Sequence, residues 1–210
     1  MSPVSLTRLV VASGNRGKLT EFRQLLGDMG IEFVGQGDLG VQDVEETGAT
    51  FAENALLKAR HAARMSGLPA LGDDSGLCVD ALDGAPGLYS ARYAGADASA
   101  DANIAKLLCA LEGLPDAQRC ARFHCVLVLV RHADDPQPLI AEGEWHGRIL
   151  LAPQGRGGFG YDPVFLDPVL GRSAAELEPA VKNMVSHRGR ALAVLRARLQ
   201  AGHGGTPCSS

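Results

Sequence analysis

Short apolar runs alternate with helical repeats of apolar residues in the first half of the chain. Leu9 to Ala12 is a compact apolar run, and apolar side chains then recur at helical spacing from Leu19 to Met29. Thr50 begins a second helical pattern, with Glu53 three positions later in the order of a capping box, and Ser99 precedes a third. This order predicts strand, loop and helix units of an α/β protein.

The second half of the chain adds strands and a last helix. Phe123 to Val130 is almost continuously apolar and valine-rich, which predicts a central strand buried on both faces. Leu139 to Trp145 and Arg148 to Leu151 read as two strands that His146-Gly147 separates as a hairpin or bulge. Leucines at helical spacing, Leu192, Leu195 and Leu199, mark the last helix.

These elements predict one domain rather than several. No internal repeat and no long linker divides the chain, so we expect a single α/β domain over residues 1–200. Its sheet is expected to be mixed and elongated, with flanking helices and two lobes around a cleft. Residues 201–210 are rich in Gly, Ser and Pro and predict a disordered tail.

Composition narrows the class of partner and compartment. The chain has 20 basic and 24 acidic residues and a formal net charge of -4, which argues against nucleic-acid binding through many phosphates. Its 5 cysteines form no Cys-x-x-Cys pair, as expected for reduced thiols. No apolar stretch is long enough to span a bilayer, so we expect a soluble protein of the cytoplasm that binds no membrane.

Two adjacent carboxylates, Asp73 and Asp74, follow a short apolar run and precede Ser75-Gly76. Apolar residues on both sides suggest a buried position, where two unpaired carboxylates repel each other unless a cation lies between them. A hard metal ion would satisfy the pair. The alternative is a solvated Asp-Asp-Ser-Gly turn, which these residue types also favour.

A glycine-containing loop joins the first predicted strand to the first helix, and it ends at Lys18. Unpaired backbone N–H groups and the helix dipole favour an anion at such a loop, and Lys18 adds a positive charge. The loop is not a Walker A sequence, because Ala12 and Leu19 stand where that pattern needs Gly and Ser or Thr. The alternatives are a phosphate site and an ordinary turn with a surface lysine.

The loop before the second helix carries another acidic candidate. Glu46 precedes the helix and could ligate a metal, although most loop glutamates are simply solvated. Asn54 and Lys58 are four residues apart and share one face of the helix.

A late segment has the features of a ring-stacking site. Glycines flank Phe159, so a flat ring could approach the backbone and stack on the aromatic side chain. Lys182, His187 and Arg188 could donate hydrogen bonds to a carbonyl edge. The alternative for His187 and Arg188 is a helix start with solvated charges.

Singly these signals are weak, but their order along the chain closely resembles the inosine triphosphate pyrophosphatase family. The resemblance spans roughly residues 8 to 200. It rests on SGNRGK at 13–18, ETGATFAENALLKA at 46–59, DDSGLCVDALDGAPGLYSARYAG at 73–95, GGFGYDPVF at 157–165 and SHRGRAL at 186–192. It implies a homodimeric enzyme that hydrolyses noncanonical purine nucleoside triphosphates to the monophosphate and pyrophosphate.

The resemblance also implies roles for particular residues. Mg²⁺ would be held by Glu46 and Asp74. Catalysis would involve Asp74 as the base, with Asp73, Lys18 and Lys58, and the division of work between the two aspartates stays open. The residues that would bind the nucleotide, in the cleft between the lobes, are Ser13, Gly14, Asn15, Arg16, Gly17, Lys18, Ser75, Phe159, Gly160, Tyr161, Asp162, Lys182, His187 and Arg188.

Two rival functions remain at this point. A related nucleotide pyrophosphatase with another base specificity could share the fold, but it would not need the segments around Phe159 and Arg188. A nucleotide sensor without catalysis would keep the phosphate loop, but it would not need Glu46, Asp73 and Asp74 together.

Overall fold

A computed structural model describes residues 6–14 and 16–203 of the 210-residue chain. It contains seven strands that share one sheet. The strands are β1 (Arg8–Ala12), β2 (Glu32–Gly35), β3 (Ala70–Val79), β4 (Cys120–Val130), β5 (Leu139–Ile149), β6 (Phe165–Asp167) and β7 (Arg172–Ser173).

In the described part of the chain, five α-helices accompany the strands: α1 (Arg16–Leu26), α2 (Phe51–Ser66), α3 (Ala100–Ala110), α4 (Pro179–Val185) and α5 (His187–His203). Two of the predicted helix starts are confirmed by their caps. Thr50 accepts a hydrogen bond from the Glu53 N–H at the start of α2, and Ser99 accepts one from the Ala102 N–H at the start of α3. The Glu53 carboxylate accepts from the N–H of Ala49, one residue before the cap.

The sheet is mixed, as the sequence predicts. Its strand order is β2-β1-β3-β4-β5-β6-β7, so the long apolar strand β4 occupies the middle. β1 pairs in parallel with β2 and with β3, whereas β6 pairs antiparallel with β5 and with β7. The α/β class and the central position of β4 are therefore confirmed.

The chain divides into two compact units. The first unit contains Met1–Asp74, Cys125–Gly143 and Arg188–Ser210, and the second contains Ser75–His124 and Glu144–His187. That residues 1–200 act as one domain stays a prediction.

The first unit buries both faces of β1. Leu9 and Val11 pack in one apolar cluster with side chains of α1 and α5, whereas Val10 and Ala12 pack in another with alanines of α2. Because successive side chains of a strand point to opposite faces, α2 lies on one face of the strands, and α1 and α5 lie on the other.

The second unit has an aromatic core. The ring of Phe123 lies 4.6 Å from that of Phe165, and the ring of Trp145 lies 4.9 Å from that of Phe165, between centroids. Ile104 and Leu107 of α3 belong to the same cluster. Tilted aromatic contacts at these distances add to the free energy gained from burial.

Two details differ from the sequence interpretation. Asp73 to Gly76 lie inside β3, so the alternative of a solvated turn is wrong. His146-Gly147 lies inside one continuous strand, β5, and does not separate two strands. A side chain at Gly147 would overlap the carbonyl of Leu166 and the ring of Phe165, so this glycine permits close packing rather than a turn.

The end of the chain is only partly described. α5 continues through residues 201–203, and residues 204–210 of the predicted tail lie outside the described part. Within residues 6–14 and 16–203, every helix is too short or too polar to cross a bilayer.

Candidate active site

Asp73 lies between two cations in the first unit. Its Oδ1 accepts a hydrogen bond of 2.7 Å from Lys18 Nζ, and its Oδ2 accepts one of 2.7 Å from Arg188 Nε. Burial alone raises the pKa of this carboxyl, but the nearby Arg188 and Lys18 charges outweigh it and hold the pKa far below its usual value. Asp73 therefore stays ionised, and its charge is already balanced by its neighbours.

Arg188 has a second carboxylate partner that sequence analysis did not identify. Its Nη1 donates to Glu21 Oε2 at 2.8 Å, and the Arg188 side chain is 3% exposed. Glu21 and Lys18 are three residues apart on one face of α1. We call these four side chains the Asp73 network: Lys18, Asp73, Arg188 and Glu21. Its two positive and two negative charges balance.

Asp74 belongs to a different set of contacts. Lys58 Nζ donates to Asp74 Oδ1 at 2.7 Å and to Glu46 Oε1 at 2.8 Å, and Asn54 Nδ2 donates to Asp74 Oδ2 at 3.3 Å. Glu46, Asn54, Lys58 and Asp74 form the Lys58 network. These residues carry two negative charges and one positive charge, in contrast to the balanced Asp73 network.

The excess negative charge of the Lys58 network shifts the pKa values of Asp74 and Lys58. Burial raises the pKa of Asp74, the Lys58 ammonium opposes this, Glu46 reinforces it, and the pKa lies above its usual value. Burial lowers the pKa of Lys58, but the charges of Asp74 and Glu46 outweigh it, so the ammonium stays protonated. Asp74 can therefore accept a proton or share an additional cation.

Close packing of α2 on β3 brings the members of the Lys58 network together. Gly72 permits the approach, because a Cβ there would overlap the carbonyl oxygen of Ala55. Asn54 and Lys58 are one turn apart on α2 and both reach Asp74. Asn54 Oδ1 also accepts the N–H of Gly48 at 2.8 Å, which fixes the loop that follows Glu46.

A hard divalent cation fits the Lys58 network. Glu46 and Asp74 each place an oxygen within 2.8 Å of one nitrogen, so the two carboxylates are close enough to share a cation. Larger groups, of three or more His, Cys, Asp or Glu able to hold a metal, do not occur among the described residues. Mg²⁺ is typically bound by one or two carboxylates together with substrate phosphates and water, so two are sufficient.

The loop before α1 is less positive than the sequence suggested. A Cβ at Gly14 would lie 3.2 Å from Asp43 Oδ2, so a carboxylate lies beside this glycine and opposes an anion there. Gln36 Nε2 donates to the other oxygen of Asp43. Ser13 is half-buried and Gly17 is exposed at the start of α1, and Asn15 and the side chain of Arg16 lie outside the described part. Lys18 is thus the positive group that the structure describes at this loop.

The second unit contains a cluster around Phe159, whose side chain is 43% exposed. Lys182 Nζ lies 4.8 Å from the centre of the Phe159 ring and donates a hydrogen bond to Asp162 Oδ2. The N–H of Phe159 donates to the same oxygen at 2.7 Å. The buried Asp162 carboxylate thus fixes both the Phe159 backbone and the Lys182 side chain. An exposed aromatic face beside an ammonium group is suited to stacking with a flat ring.

The glycines beside Phe159 serve this arrangement. A Cβ at Gly158 would overlap the Asp162 carboxylate, and Gly158 and Gly160 have φ angles of 73° and 59°, which disfavour other residues. Tyr161 is buried, and its hydroxyl donates to the carbonyl of Ser90 at 2.9 Å. Burial raises the pKa of this hydroxyl, so Tyr161 supports the segment from within the second unit.

The remaining predicted residues also lie in the second unit. His187 is buried at the start of α5, and its ring stacks on that of Phe123 with 4.8 Å between centroids. Ser75 is half-buried in β3. The structure thus gathers Lys18, Asp73 and Arg188, and separately Glu46, Lys58 and Asp74, within the first unit, and Phe159, Asp162 and Lys182 within the second.

Together, the mixed sheet and the two charge networks on β3 define an α/β protein with two adjacent buried carboxylates, each paired with its own cations. The same fold occurs in solved Ham1 proteins. The structure of a HAM1 protein from Coxiella burnetii has a TM-score of 0.87 and 52% identity, covering 92% of this chain and 98% of that one. The nucleoside-triphosphatase, or dITP/XTP pyrophosphatase, of Mycobacterium abscessus has a TM-score of 0.72 and 44% identity, over 90% and 97% of the two chains.

The chain belongs to the Ham1 family, whose profile matches residues 9–198. A relative from Xanthomonas campestris named dITP/XTP pyrophosphatase is 62% identical over 196 residues, which cover 93% of this chain and 98% of the relative. A relative of the same name from Shigella flexneri is 57% identical over 197 residues, covering 94% of this chain and 100% of the relative. These matches confirm the family resemblance seen in the sequence motifs.

Proposed function

We propose that the protein hydrolyses noncanonical purine nucleoside triphosphates, namely ITP, dITP and XTP, to the nucleoside monophosphate and pyrophosphate, and so removes them from the nucleotide pool. One structural observation carries the proposal. Asp74 is a buried carboxylate with a raised pKa, paired with Glu46 through Lys58. Relatives that match over 90% or more of the chain are named dITP/XTP pyrophosphatase, which supports the proposal.

The Lys58 network supplies the groups that this reaction needs. Hydrolysis of a phosphoanhydride depends mainly on positioning the attacking water and neutralising phosphate charge. Asp74 is the proposed base, because its raised pKa makes it a better proton acceptor than an ordinary aspartate, and Asn54 and Lys58 orient its two oxygens. Lys58 and Lys18 are proposed to contact the triphosphate.

Glu46 and Asp74 are the proposed ligands of Mg²⁺, which neutralises phosphate charge when it is bound. Asp73 is proposed to take a different part. Because both of its oxygens are paired with cations, Asp73 holds Lys18 and Arg188 in place and is not expected to ligate the metal. The adjacent aspartates are thus proposed to have different roles: Asp74 takes part in the chemistry, and Asp73 positions Lys18 and Arg188.

For the base, we propose that Phe159 stacks on the purine, and that Lys182, His187 and Arg188 donate to its edge. A 6-oxopurine offers an acceptor to these donors. Adenine offers an amino donor instead, which would leave buried donors facing each other without partners. ATP is therefore expected to be a poor substrate. We also propose that nine further residues shape or support the nucleotide site: Ser13, Gly14, Asn15, Arg16, Gly17, Ser75, Gly160, Tyr161 and Asp162.

Assembly and location form a further part of the proposal. We propose a homodimer that acts in the cytoplasm and needs no nucleic acid or membrane as partner. Cys78, Cys109, Cys120 and Cys125 are free thiols, which suits a reducing compartment. Light scattering coupled to size-exclusion chromatography would give the mass of the assembly, and a mass of one chain would contradict the dimer.

The activity can be tested with a panel of nucleoside triphosphates and Mg²⁺, scoring pyrophosphate against orthophosphate. Pyrophosphate from ITP, dITP and XTP, with little from ATP, is the expected result. Binding of ITP without any product would favour the nucleotide sensor. Product from pyrimidine nucleotides in preference to ITP would favour a related pyrophosphatase of different base specificity.

A further inference from the structure

We propose that Asn54 is a positioning residue, which couples the loop that carries Glu46 to the Asp74 carboxylate and so assembles the metal site before a nucleotide binds. The inference rests on the proposed function, because Glu46 and Asp74 are the ligands proposed there. It is carried by two hydrogen bonds of one side chain. Asn54 is 1% exposed, its Oδ1 accepts the N–H of Gly48 at 2.8 Å, and its Nδ2 donates to Asp74 Oδ2 at 3.3 Å.

The two partners of Asn54 require opposite polarity. Gly48 offers a backbone N–H, which can only donate, and an ionised Asp74 carboxylate can only accept. An amide carries a carbonyl oxygen and an NH₂ group on one carbon, so it satisfies both partners at once. A carboxylate at this position would repel Asp74, and an apolar side chain would leave a buried group on each side without its partner. The amide is therefore suited to join the loop to the strand.

The loop end of this bridge holds the backbone next to Glu46, which precedes Gly48 by two residues. A Cβ at Gly48 would lie 2.7 Å from Asn54 Oδ1, so the glycine permits the close approach of the loop to α2. The next N–H of the loop, that of Ala49, donates to Glu53 Oε2 at 2.6 Å. Two successive N–H groups are thus bound to side chains at the start of α2, and the loop is fixed relative to that helix.

The strand end of the bridge fixes the orientation of the Asp74 carboxylate. Asn54 donates to Oδ2, and Lys58 Nζ donates to Oδ1 at 2.7 Å, so both oxygens are held from the same face of α2. Each carboxylate oxygen has two lone pairs, and one donor at each leaves a site for a metal ion or a proton. Asn54 therefore orients Asp74 without blocking it.

A site assembled in this way is expected to bind a metal ion more tightly than one that must first be ordered. Without Asn54, the loop and the carboxylate could move independently, and binding would then have to restrict both. Loss of a group that orients a metal ligand typically lowers metal affinity or activity by about 10- to 100-fold. The effect of Asn54 should therefore be measurable with the metal alone, in the absence of a nucleotide.

The test is a titration with Mn²⁺, followed by electron paramagnetic resonance, without nucleotide. Mn²⁺ prefers the same oxygen ligands as Mg²⁺ and is visible by this method. The dissociation constant for Mn²⁺ should be at least about tenfold higher in Asn54→Ala than in wild type. An unchanged dissociation constant in Asn54→Ala would overturn the inference. So would a wild-type chain that binds no Mn²⁺ without nucleotide, because the site would then not be assembled beforehand.

Asn103 of α3 offers a matched control in the second unit. It is 5% exposed, its Oδ1 accepts the N–H of Ala94 at 2.7 Å, and its Nδ2 donates to the carbonyl of Ala91 at 3.1 Å. Asn103→Ala therefore removes the same two kinds of hydrogen bond from a buried amide. It should lower the melting temperature but leave the dissociation constant for Mn²⁺ as in wild type. Equal weakening of Mn²⁺ binding in both variants would indicate a general loss of stability and contradict the proposal.

Asn54→Asp separates the two ends of the bridge and keeps the volume of the side chain, so it also serves if Asn54→Ala fails to fold. It retains an oxygen for the N–H of Gly48 but replaces the donor to Asp74 by a like charge. The dissociation constant for Mn²⁺ should not rise, because the loop stays fixed and the added charge attracts a cation. The kcat for ITP should fall by about 10- to 100-fold. A wild-type kcat would contradict the role at Asp74, and weaker Mn²⁺ binding would contradict the role at the loop.

The metal titration separates this inference from the proposed function. A wild-type chain that binds Mn²⁺ but releases no pyrophosphate from any nucleoside triphosphate would overturn the proposed activity alone, and the Mn²⁺ titrations would still decide the role of Asn54. A wild-type chain that releases pyrophosphate, with the same Mn²⁺ affinity as Asn54→Ala, would overturn the inference alone.

Discussion

Asp73 and Asp74 are adjacent in β3, yet their carboxylates meet different cations from opposite faces of the strand. Asp73 meets Lys18 and Arg188, from α1 and α5, and Asp74 meets Lys58 of α2. The alternation of side chains along a strand explains the separation. Repulsion between the two acids is avoided because each faces its own partners, and each can have a separate function.

Asp73→Asn is expected to destabilise the protein strongly. The substitution leaves the buried Arg188 and the part-buried Lys18 without their shared carboxylate, and breaking a buried ion pair in this way typically costs about 3 to 5 kcal/mol. Urea denaturation at pH 7 measures the change in the free energy of unfolding. Asp134→Asn, at an exposed ion pair, serves as the control and should change it by less than about 0.5 kcal/mol.

The contribution of Asp73 should also depend on pH. Its pKa in the folded protein lies below the value in the unfolded chain, so it stabilises the fold fully above the unfolded pKa of about 3.9. The contribution should decline as the pH falls below that value. The difference in unfolding free energy between wild type and Asp73→Asn is therefore expected to be constant between about pH 5 and about pH 7. It should shrink in stronger acid. A difference that grows in acid would contradict the assignment.

Asp74→Asn is expected to abolish activity while the fold survives. Loss of a catalytic base typically lowers kcat by about 10²- to 10⁴-fold. The neutral amide removes the repulsion between Asp74 and Glu46 but also one of the two carboxylates that Lys58 contacts, so the two effects oppose each other and the melting temperature should change little. Steady-state kinetics and thermal unfolding without metal test both parts. Near-normal turnover would remove Asp74 from the mechanism.

Glu46→Gln is expected to raise the Mg²⁺ concentration needed for half-maximal activity by at least about tenfold, because it removes one of two proposed ligand carboxylates. Glu45→Gln is the matched control, since Glu45 is the exposed neighbour in the same loop. Titration of Mg²⁺ after treatment with EDTA measures the requirement. Equal requirements for the two variants would argue against Glu46 as a ligand.

Phe159→Leu is expected to weaken use of ITP by about 1 to 3 kcal/mol, or roughly 5- to 150-fold in kcat/KM, because stacking on the base is lost while an apolar side chain remains. Phe159→Tyr keeps a stacking ring and should stay close to wild type. The two variants are compared with ITP as substrate. Similar losses in both would indicate that the ring does not stack on the base.

Local sequence signals were sufficient for much of the fold and for part of the site. The apolar run of β4 and the caps at Thr50 and Ser99 depend on nearby residues, so the sequence predicts them well. The alternation in β3 was not predicted, because the sequence left open whether Asp73 to Gly76 form a turn. In the structure, residues 70, 72 and 74 face α2, whereas 71 and 73 face the other side.

Contacts between distant segments were not predictable in the same way. Glu21 meets Arg188, which lies 167 positions away, and nothing near Glu21 distinguishes it from a solvated helix residue. Asn54 was placed on the correct helix face, but its contact with Asp74 depends on how closely α2 approaches β3. Gly147 resembled a turn because its packing partner, Phe165, is far along the chain.

Trp145, the single tryptophan of the chain, gives this protein an internal fluorescent reporter. It is 1% exposed, and its indole N–H donates to the carboxylate of Asp167 at 2.8 Å, in the core of the second unit. Its emission therefore follows the loss of that core, whereas Asp73→Asn acts in the first unit. Comparing fluorescence with circular dichroism for this variant would reveal whether the two units melt as one cooperative unit or in succession.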